Sequence, residues 1–286
     1  MAVYKRSYRP YTGALTPRWS RFLILTRYAM RGIFKSRFLT GLYVISLLYP
    51  IVLIALMYLN HNAKILSLLK FQRDHLFDVG GTFFFAFMTT QSSIAFIVTA
   101  FIGPNMIAPD LANGGLPLYF CRPLSRVEYV LGKALPIVIL LSFITWIPGL
   151  VVFGVEWSLA GWTWAWDNIH LAGGVVFGSF LWITVLSMLA LALSAWVRWK
   201  LVAGALILAT MFLTSGFATA IQAVMRTQIG RYIDPAFLVT LIYAKVFDYR
   251  FNSDISVASA GVALIIICAF FAFLLQKKVR AFEVVR

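Results

Sequence analysis

Six long stretches of the sequence carry no charged residue, and this feature restricts the fold more than any other. A helix needs about 20 mostly apolar residues to cross the hydrocarbon core of a bilayer, and each stretch is long enough. A charge at the centre of such a helix costs about 2.5–3.5 kcal/mol on insertion scales. We therefore predict six transmembrane spans, at residues 38–59, 82–109, 134–155, 171–197, 201–225 and 255–276.

The composition agrees with a membrane protein, because 61% of the residues are hydrophobic and only 12% are charged. Soluble domains are usually about 25% charged. The predicted fold class is an all-α integral membrane protein with two parts. Residues 1–37 form a cytoplasmic tail that ends in an amphipathic helix, and residues 38–286 form the transmembrane domain. The basic first residues lack the apolar segment and small-residue cleavage site of a secretory signal peptide.

The distribution of basic residues predicts the orientation. Placing the amino terminus in the cytoplasm puts 18 of the 25 Lys and Arg residues on the cytoplasmic side. Lys and Arg concentrate in the cytoplasmic loops of membrane proteins, so both termini are predicted to be cytoplasmic. This rule also explains the net charge of +15, and nucleic-acid binding is not predicted.

A helix is predicted at residues 19–37, before the first span. At about 100° per residue, Phe22, Leu25, Ala29 and Ile33 share one face. The opposite stripe is basic and consists of Arg27, Arg31 and Lys35. Such a helix is typical of the membrane interface. Two interpretations remain open: a membrane anchor alone, or an anchor that also contacts a cytoplasmic partner.

Two predicted outer segments have unusual compositions. Residues 156–170 contain four tryptophans, which fit an aromatic belt at the interface or, alternatively, a stacking surface for a sugar or lipid. Residues 235–244 are apolar but too short to span. A segment of that kind is expected to be interfacial or re-entrant, and it could gate the outer mouth of a pathway.

The sequence lacks the motifs of common catalytic and metal sites. It contains no GxxxxGK[ST] phosphate loop, no HExxH and no CxxC. The predicted spans hold neither histidine nor acidic residues. No catalytic residue, cofactor-binding residue or metal ligand is therefore predicted in this chain.

The loop at residues 108–133 is rich in residues that shape the backbone. Pro104 and Pro109 are predicted to end the helix of span 2, and Ser125 is predicted to cap the helix that leads into span 3. A loop of this composition is expected to be folded and to dock onto a partner.

This loop resembles the signature region of ABC-2-type ABC transporter permeases. In that family, helix 2 ends in an acidic residue, followed by a Gly-x-Leu element, a Pro-Leu-Ser/Thr-Arg turn and a Gly-Lys pair that opens helix 3. The matching residues here are Asp110, 115–119 (GLPLY), 122–126 (RPLSR), Tyr129 and 132–133 (GK). The family more often has Glu at the position of Asp110. The match is densest over this loop, and the six-span layout extends it loosely over the chain.

The resemblance implies a permease subunit in the inner membrane of a prokaryote. Such subunits pair with a second permease copy or homologue and with two cytoplasmic P-loop ATPase subunits, which would bind the ATP and Mg²⁺. Accessory periplasmic or membrane chains are also expected partners, and export is the family's usual direction. Arg27, Arg31 and Lys35 would belong to the connecting helix. The implied ATPase-coupling residues are Asp110, Gly115, Leu116, Leu118, Tyr119, Arg122, Arg126 and Lys133.

Span 2 also carries the polar run TTQSS at residues 89–93. Thr90, Gln91 and Ser93 are candidates for lining a substrate pathway, and hydrogen bonding between helices is the alternative. Two other functions stay open beside transport: a non-transporting homologue that acts as a membrane scaffold or assembly partner, and a membrane-embedded lipid-modifying enzyme. The substrate is not predicted.

Overall fold

The structure is a computed structural model that describes residues 17, 20–62, 78–120 and 124–279. Arg122 and Cys121 lie outside the described residues, as do residues 1–16, 63–77 and 280–286. Within the described part the chain is helical and contains no strand. Six helical segments are long and apolar enough to cross a membrane, which confirms the number of predicted spans and indicates a multi-pass membrane protein.

Thirteen α-helices account for these segments and their connections within the described residues. They are α1 Arg21–Phe34, α2 Arg37–Ser46, α3 Leu48–His61, α4 Gly81–Ile102, α5 Ala108–Ala112, α6 Gly115–Phe120, α7 Arg126–Ile144, α8 Trp146–Ala160, α9 Trp162–Asp167, α10 Ile169–Trp196, α11 Lys200–Met225, α12 Pro235–Val246 and α13 Val257–Lys278. Short 3-10 turns cover Gly103–Asn105 and Ile229–Ile233. Span 1 comprises α2 and α3, span 2 runs from α4 to α5, span 3 comprises α7 and α8, and spans 4, 5 and 6 are α10, α11 and α13.

Spans 1 and 3 are each divided in two, which differs from the continuous helices that we predicted. The breaks lie at Leu47 and Thr145, three residues before Pro50 and Pro148. Proline has no backbone N–H and clashes with the carbonyl four residues earlier. The hydrophobic run was long enough to span, but the prolines interrupt its hydrogen bonds.

The helices extend beyond the predicted boundaries and include charged residues, three of which pair with a residue of another helix. Asp110 and Lys133 lie at the end of span 2 and the start of span 3, and Glu156 lies near the end of span 3. Each has a charged or titratable partner: Lys133 Nζ is 2.7 Å from Asp110 Oδ2, and His61 Nε2 is 3.4 Å from Glu156 Oε1. A helix can continue past the uncharged stretch where its charged residues are paired.

Helix α10 lies at the centre of the bundle and contacts α4, α7, α8, α11, α12 and α13. Small residues on α10 allow this close packing. A Cβ added at Gly174 would lie 2.5 Å from Val246 Cγ1, and one added at Gly178 would lie 2.7 Å from Tyr243 Cε1. Both contacts are made with α12, so this short helix packs against Gly174 and Gly178 of α10.

Helix α12 contains the apolar segment 235–244 that was predicted to be interfacial or re-entrant. At 12 residues it is too short to span, yet most of its side chains are buried. Asp234 caps its first turn, because its Oδ1 accepts hydrogen bonds from the N–H groups of Ala236 and Phe237. The helix therefore forms part of the bundle core beside α4 and α10.

Helix α1 packs against the first half of α7. Gly132 permits this contact, because a Cβ there would lie 2.9 Å from the carbonyl oxygen of Phe22. Thr26 and Ile33 face the bundle, whereas Arg27 and Arg31 are exposed. The helix is shorter than the predicted 19–37, since it ends at Phe34 and Ser36 caps α2 by accepting the N–H of Leu39.

One end of the bundle collects α1, the α5–α7 region and the last turns of α10 and α13. Trp196 at the end of α10 donates its indole N–H to the Leu274 carbonyl, and Lys278 lies over the same ring at 4.6 Å. The start of α1 and the end of α13 therefore lie on the same side of the bundle. His61 and Glu156 lie at the opposite end.

Candidate functional site

A polar cluster that is largely removed from solvent joins the end of span 2 to the start of span 3. Asp110 Oδ2 lies 2.7 Å from the Lys133 ammonium and accepts a hydrogen bond of 2.7 Å from the Tyr129 hydroxyl. The Tyr119 and Tyr129 rings are 5.4 Å apart, and the ammonium lies 5.8 and 5.7 Å from their respective centroids. We call Asp110, Tyr119, Tyr129 and Lys133 the Asp110 cluster.

The cluster holds charges that are costly to remove from water. Lys133 is only 7% exposed, and a buried ammonium needs a close opposite charge together with further polar contacts. Asp110 supplies the charge, and the two aromatic rings add cation–π attraction. Burial, and then the Asp110 carboxylate, raise the pKa of the Tyr119 hydroxyl above its ordinary value, so this tyrosine stays protonated beside the carboxylate at neutral pH.

Span 4 fixes the position of the segment that carries Asp110. The buried Ser194 hydroxyl accepts hydrogen bonds from the N–H groups of Ile107 and Ala108 at 3.1 and 2.9 Å. These groups lie at the start of α5 and have no partner within that helix. Gly103 also packs tightly, since a Cβ there would lie 2.7 Å from Ala190 Cβ. The chain around Asp110 is therefore held against α10.

The start of α7 is fixed by a capping box. The Ser125 hydroxyl accepts the N–H of Glu128, and the Glu128 carboxylate accepts the N–H of Ser125. This reciprocal pair satisfies two backbone donors at once and confirms Ser125 as the predicted cap. Tyr129 and Lys133 are four residues apart on the same helix, so both side chains reach Asp110.

Helix α6 presents an apolar side chain to the outside. Leu118 is 71% exposed, whereas Leu116 is buried against the bundle. Gly115 lies against Asp110, because a Cβ there would be 3.4 Å from the Asp110 carbonyl oxygen. Gly114 has a φ of +64° at the turn between α5 and α6, a conformation that favours glycine. The turn thus directs Leu118 away from the protein.

The structure brings together Asp110, Tyr119 and Lys133 from the predicted coupling set. Gly115 and Leu116 lie beside them, Leu118 and Arg126 are exposed, and Arg122 lies outside the described residues. Tyr129 was not predicted as a site residue, although it belongs to the matched motif. Its spacing of four residues from Lys133 would have indicated that the two share a helix face.

The predicted connecting helix lies close to the cluster. Helix α1 meets α7 at Gly132, the residue before Lys133, where the Thr26 hydroxyl shares its hydrogen between the Gly132 carbonyl and the Phe22 carbonyl of its own helix, each at 3.2 Å. Arg27, Arg31 and Lys35 are all exposed. These basic side chains therefore face away from the bundle.

Gln91 on α4 bonds to the breaks in spans 1 and 3. Its Nε2 donates to the Ile144 carbonyl at 2.5 Å and to the Ser46 carbonyl at 3.4 Å. These carbonyls precede Pro148 and Pro50 by four residues, so the prolines leave them without helical partners. Gln91 is 0% exposed. The amide thus satisfies both carbonyls, which agrees with hydrogen bonding between helices rather than with pathway lining.

The same arrangement recurs at α1. Pro136 lies inside α7 and leaves the Gly132 carbonyl without a helical partner, and Thr26 of α1 donates to that oxygen. Three proline-released carbonyls, those of Ser46, Gly132 and Ile144, are therefore bound by side chains of other helices.

A cleft of about 380 Å³ lies between α4, α10, α11 and α12. Ser93 lines it, whereas Thr90 is exposed outside it and Gln91 is buried elsewhere. Of the three predicted pathway residues, only Ser93 therefore reaches this cleft. The lining residues are Thr89, Ser92, Ser93, Phe96, Ile97, Trp182, Leu208, Met211, Phe212, Ser215, Ala236, Val239, Thr240 and Tyr243.

The tryptophans of the predicted outer segment divide into two groups. Trp157, Trp162 and Trp166 are exposed, and their rings form a chain with centroid separations of 4.9 and 5.8 Å. Trp164 instead packs on Phe153. Exposed indoles at the end of a bundle fit the predicted aromatic belt.

Comparison with known proteins identifies no relative of this chain. No protein-family model matches this chain, and no curated protein matches its sequence.

Proposed function

We propose that this chain is the membrane-spanning permease subunit of an ABC-2-type transporter, and that α6 receives the movement of a separate P-loop ATPase. The observation that carries the proposal is the Asp110 cluster. It connects α5 and α6 to α7 through a largely buried ion pair, while Leu118 projects from the same segment with 71% of its surface exposed.

A helix that transmits force must be attached firmly to the parts that it moves. The Asp110–Lys133 pair attaches the α5–α6 segment to span 3, and the Ser194 hydroxyl attaches it to span 4. Helix α1 meets span 3 one residue before Lys133. A push on α6 would therefore reach spans 2, 3 and 4 together, and α1 could add a second contact through Arg27 and Arg31.

The distribution of charge supports a cytoplasmic position for this end. Arg27, Arg31, Arg126, Arg198, Lys277 and Lys278 lie at or near the α1 end, and basic residues concentrate on the cytoplasmic side. ATP and Mg²⁺ would bind to the partner ATPase. The proposed assembly contains two permease chains in the inner membrane of a prokaryote and exports its substrate.

A photo-crosslinker at Leu118 tests the ATPase contact directly. The change Leu118→p-benzoylphenylalanine in the full chain, expressed in its native cell and irradiated, should yield a crosslink to a protein that carries a P-loop. The matched control is Ile229→p-benzoylphenylalanine, because Ile229 is 68% exposed but lies after span 5, near the opposite end. That variant should not capture the ATPase.

The outcomes separate the alternatives. A crosslink from position 118 to proteins without a P-loop, or equal capture of the ATPase from position 229, would contradict the proposal. If the ATPase is captured, its hydrolysis rate in the purified complex should change with Leu118→Asp. An unchanged rate would favour a membrane scaffold over a transporter.

A further inference from the structure

We infer that the cleft between α4, α10, α11 and α12 binds an uncharged amphiphile that carries a hydrogen-bond donor, such as a hydroxyl or an amide N–H. Its volume of about 380 Å³ lies within the range of about 300–1,000 Å³ that is common for small-molecule sites. Its identification as a transported substrate rests on the proposed function, whereas the binding chemistry rests on the cleft alone.

The hydroxyl groups on the cleft wall use their hydrogens within the protein. Thr89 and Ser93 donate to the Phe85 and Thr89 carbonyls at 2.9 and 3.0 Å. Thr240 donates to the Ala236 carbonyl at 2.8 Å. A hydroxyl oxygen that donates its hydrogen in this way keeps its lone pairs. These three side chains therefore offer acceptors to the cleft.

The larger polar side chains of the wall are committed in the same way. Tyr243 donates to the Gly178 carbonyl, and the Ser92 hydroxyl therefore donates to Tyr243 over 3.0 Å. The Trp182 indole N–H is bonded to the Ser92 carbonyl. Among the lining hydroxyl groups, which all belong to described residues, only that of Ser215 has its hydrogen free for a ligand.

The excess of hydrogen-bond acceptors over donors on the cleft wall favours an uncharged ligand. The lining residues, all within the described part, include no Asp, Glu, Lys, Arg or His. An anion would meet oxygen lone pairs with little donation in return, and a cation would meet no opposite charge; both are costly away from water. A neutral molecule with a donor satisfies the acceptors, and its apolar part contacts Phe96, Met211 and Val239.

Three matched probes can test this selection on the purified full chain in nanodiscs: 4-hexylphenol, 4-hexylanisole and 4-hexylbenzoate. They share the ring and alkyl chain and differ in offering a donor, an acceptor only, or a negative charge. Saturable binding is measured against empty nanodiscs. We expect 4-hexylphenol to bind about tenfold more tightly than 4-hexylanisole, as for one additional hydrogen bond to an acceptor of the cleft, and 4-hexylbenzoate to bind most weakly.

Removing an acceptor should affect only the probe with the donor. Thr240→Val keeps the shape of the side chain and should weaken 4-hexylphenol several-fold without changing 4-hexylanisole. Ser93→Ala tests the opposite wall if Thr240→Val folds poorly. The matched control is Thr219→Val, since Thr219 makes the same bond to a carbonyl of its own helix but is exposed outside the cleft.

Equal affinities for 4-hexylphenol and 4-hexylanisole, tightest binding of 4-hexylbenzoate, or no saturable binding above empty nanodiscs would each overturn the inference. No ATPase is present in this experiment. Failure of the binding test therefore does not affect the proposed ATPase contact, which the Leu118 crosslink tests independently.

Discussion

The Asp110 cluster and the Gln91 contacts both join helices through buried polar groups, but they use different chemistry. At the α1 end, spans 2 and 3 are joined by a full ion pair between Asp110 and Lys133. Within the spans, α4 is joined to spans 1 and 3 by a neutral amide that bonds to two backbone carbonyls. The position along the bundle explains the choice, because a charge deep in a bilayer costs more than a neutral hydrogen bond.

The two contacts also satisfy different kinds of polar group. The ion pair neutralises two side chains that are charged in water. The Gln91 amide instead satisfies carbonyls that Pro50 and Pro148 deprive of helical partners. Loss of one partner should therefore be far more harmful in the cluster than at the proline breaks.

The largest expected effect follows from Lys133→Met. This change leaves the Asp110 carboxylate, whose side chain is only 16% exposed, without its ammonium and should lower the free energy of unfolding by about 3 kcal/mol. Unfolding by SDS titration of the purified protein measures the change. The double variant Asp110→Asn with Lys133→Met should recover much of the loss. Purely additive losses would show that the two side chains do not act as a pair.

A smaller loss, of about 2 kcal/mol, is expected for Gln91→Leu, because two carbonyls lose their donors. Pro148→Ala restores an N–H that can bond to the Ile144 carbonyl, so it should recover part of this loss in the Gln91→Leu background. The same titration measures both. Thr90→Val, on the exposed face beside Gln91, is the control and should change little. Equal effects of Pro148→Ala with and without Gln91 would contradict the contact.

The smallest effect is expected for Thr26→Val, which removes the bond from α1 to the Gly132 carbonyl. Hydrogen bonds between membrane helices contribute about 0.6 kcal/mol on average, and we expect a loss of that size. Thr210→Val is the matched control, since Thr210 bonds only to the Leu206 carbonyl of its own helix. A loss as large as that of Lys133→Met would mean that α1 holds the Asp110 cluster together.

Much of the fold was predictable because it depends on local sequence. The apolar stretches predicted the number of spans, and Ser125 followed by Glu128 three residues later predicted the cap of α7. The breaks at Leu47 and Thr145 could also have been predicted, since Pro50 and Pro148 follow them by three residues in the sequence. They were missed because hydrophobic length alone does not show whether a helix is continuous.

The candidate site was predicted only in part. Asp110, Tyr119 and Lys133 came from a resemblance that groups them by motif, and their contacts with one another were not predicted. Gln91 and Ser93 were assigned the same role because they are close in sequence. On a helix, residues two apart point in different directions, so Ser93 reaches the cleft while Gln91 faces the proline breaks.

The sequence alone was enough to predict six spans and to place 18 of the 25 basic residues on one side, because the need for about 20 apolar residues acts on each segment separately. The contacts between polar groups, in contrast, follow from the packing of the helices in three dimensions. The pairing of Asp110 with Lys133, the bonding of one amide to carbonyls on two broken spans, and the acceptor-rich cleft depend on how helices distant in sequence pack together. That packing arises from small residues such as Gly132, Gly174 and Gly178, which allow neighbouring helices to approach closely.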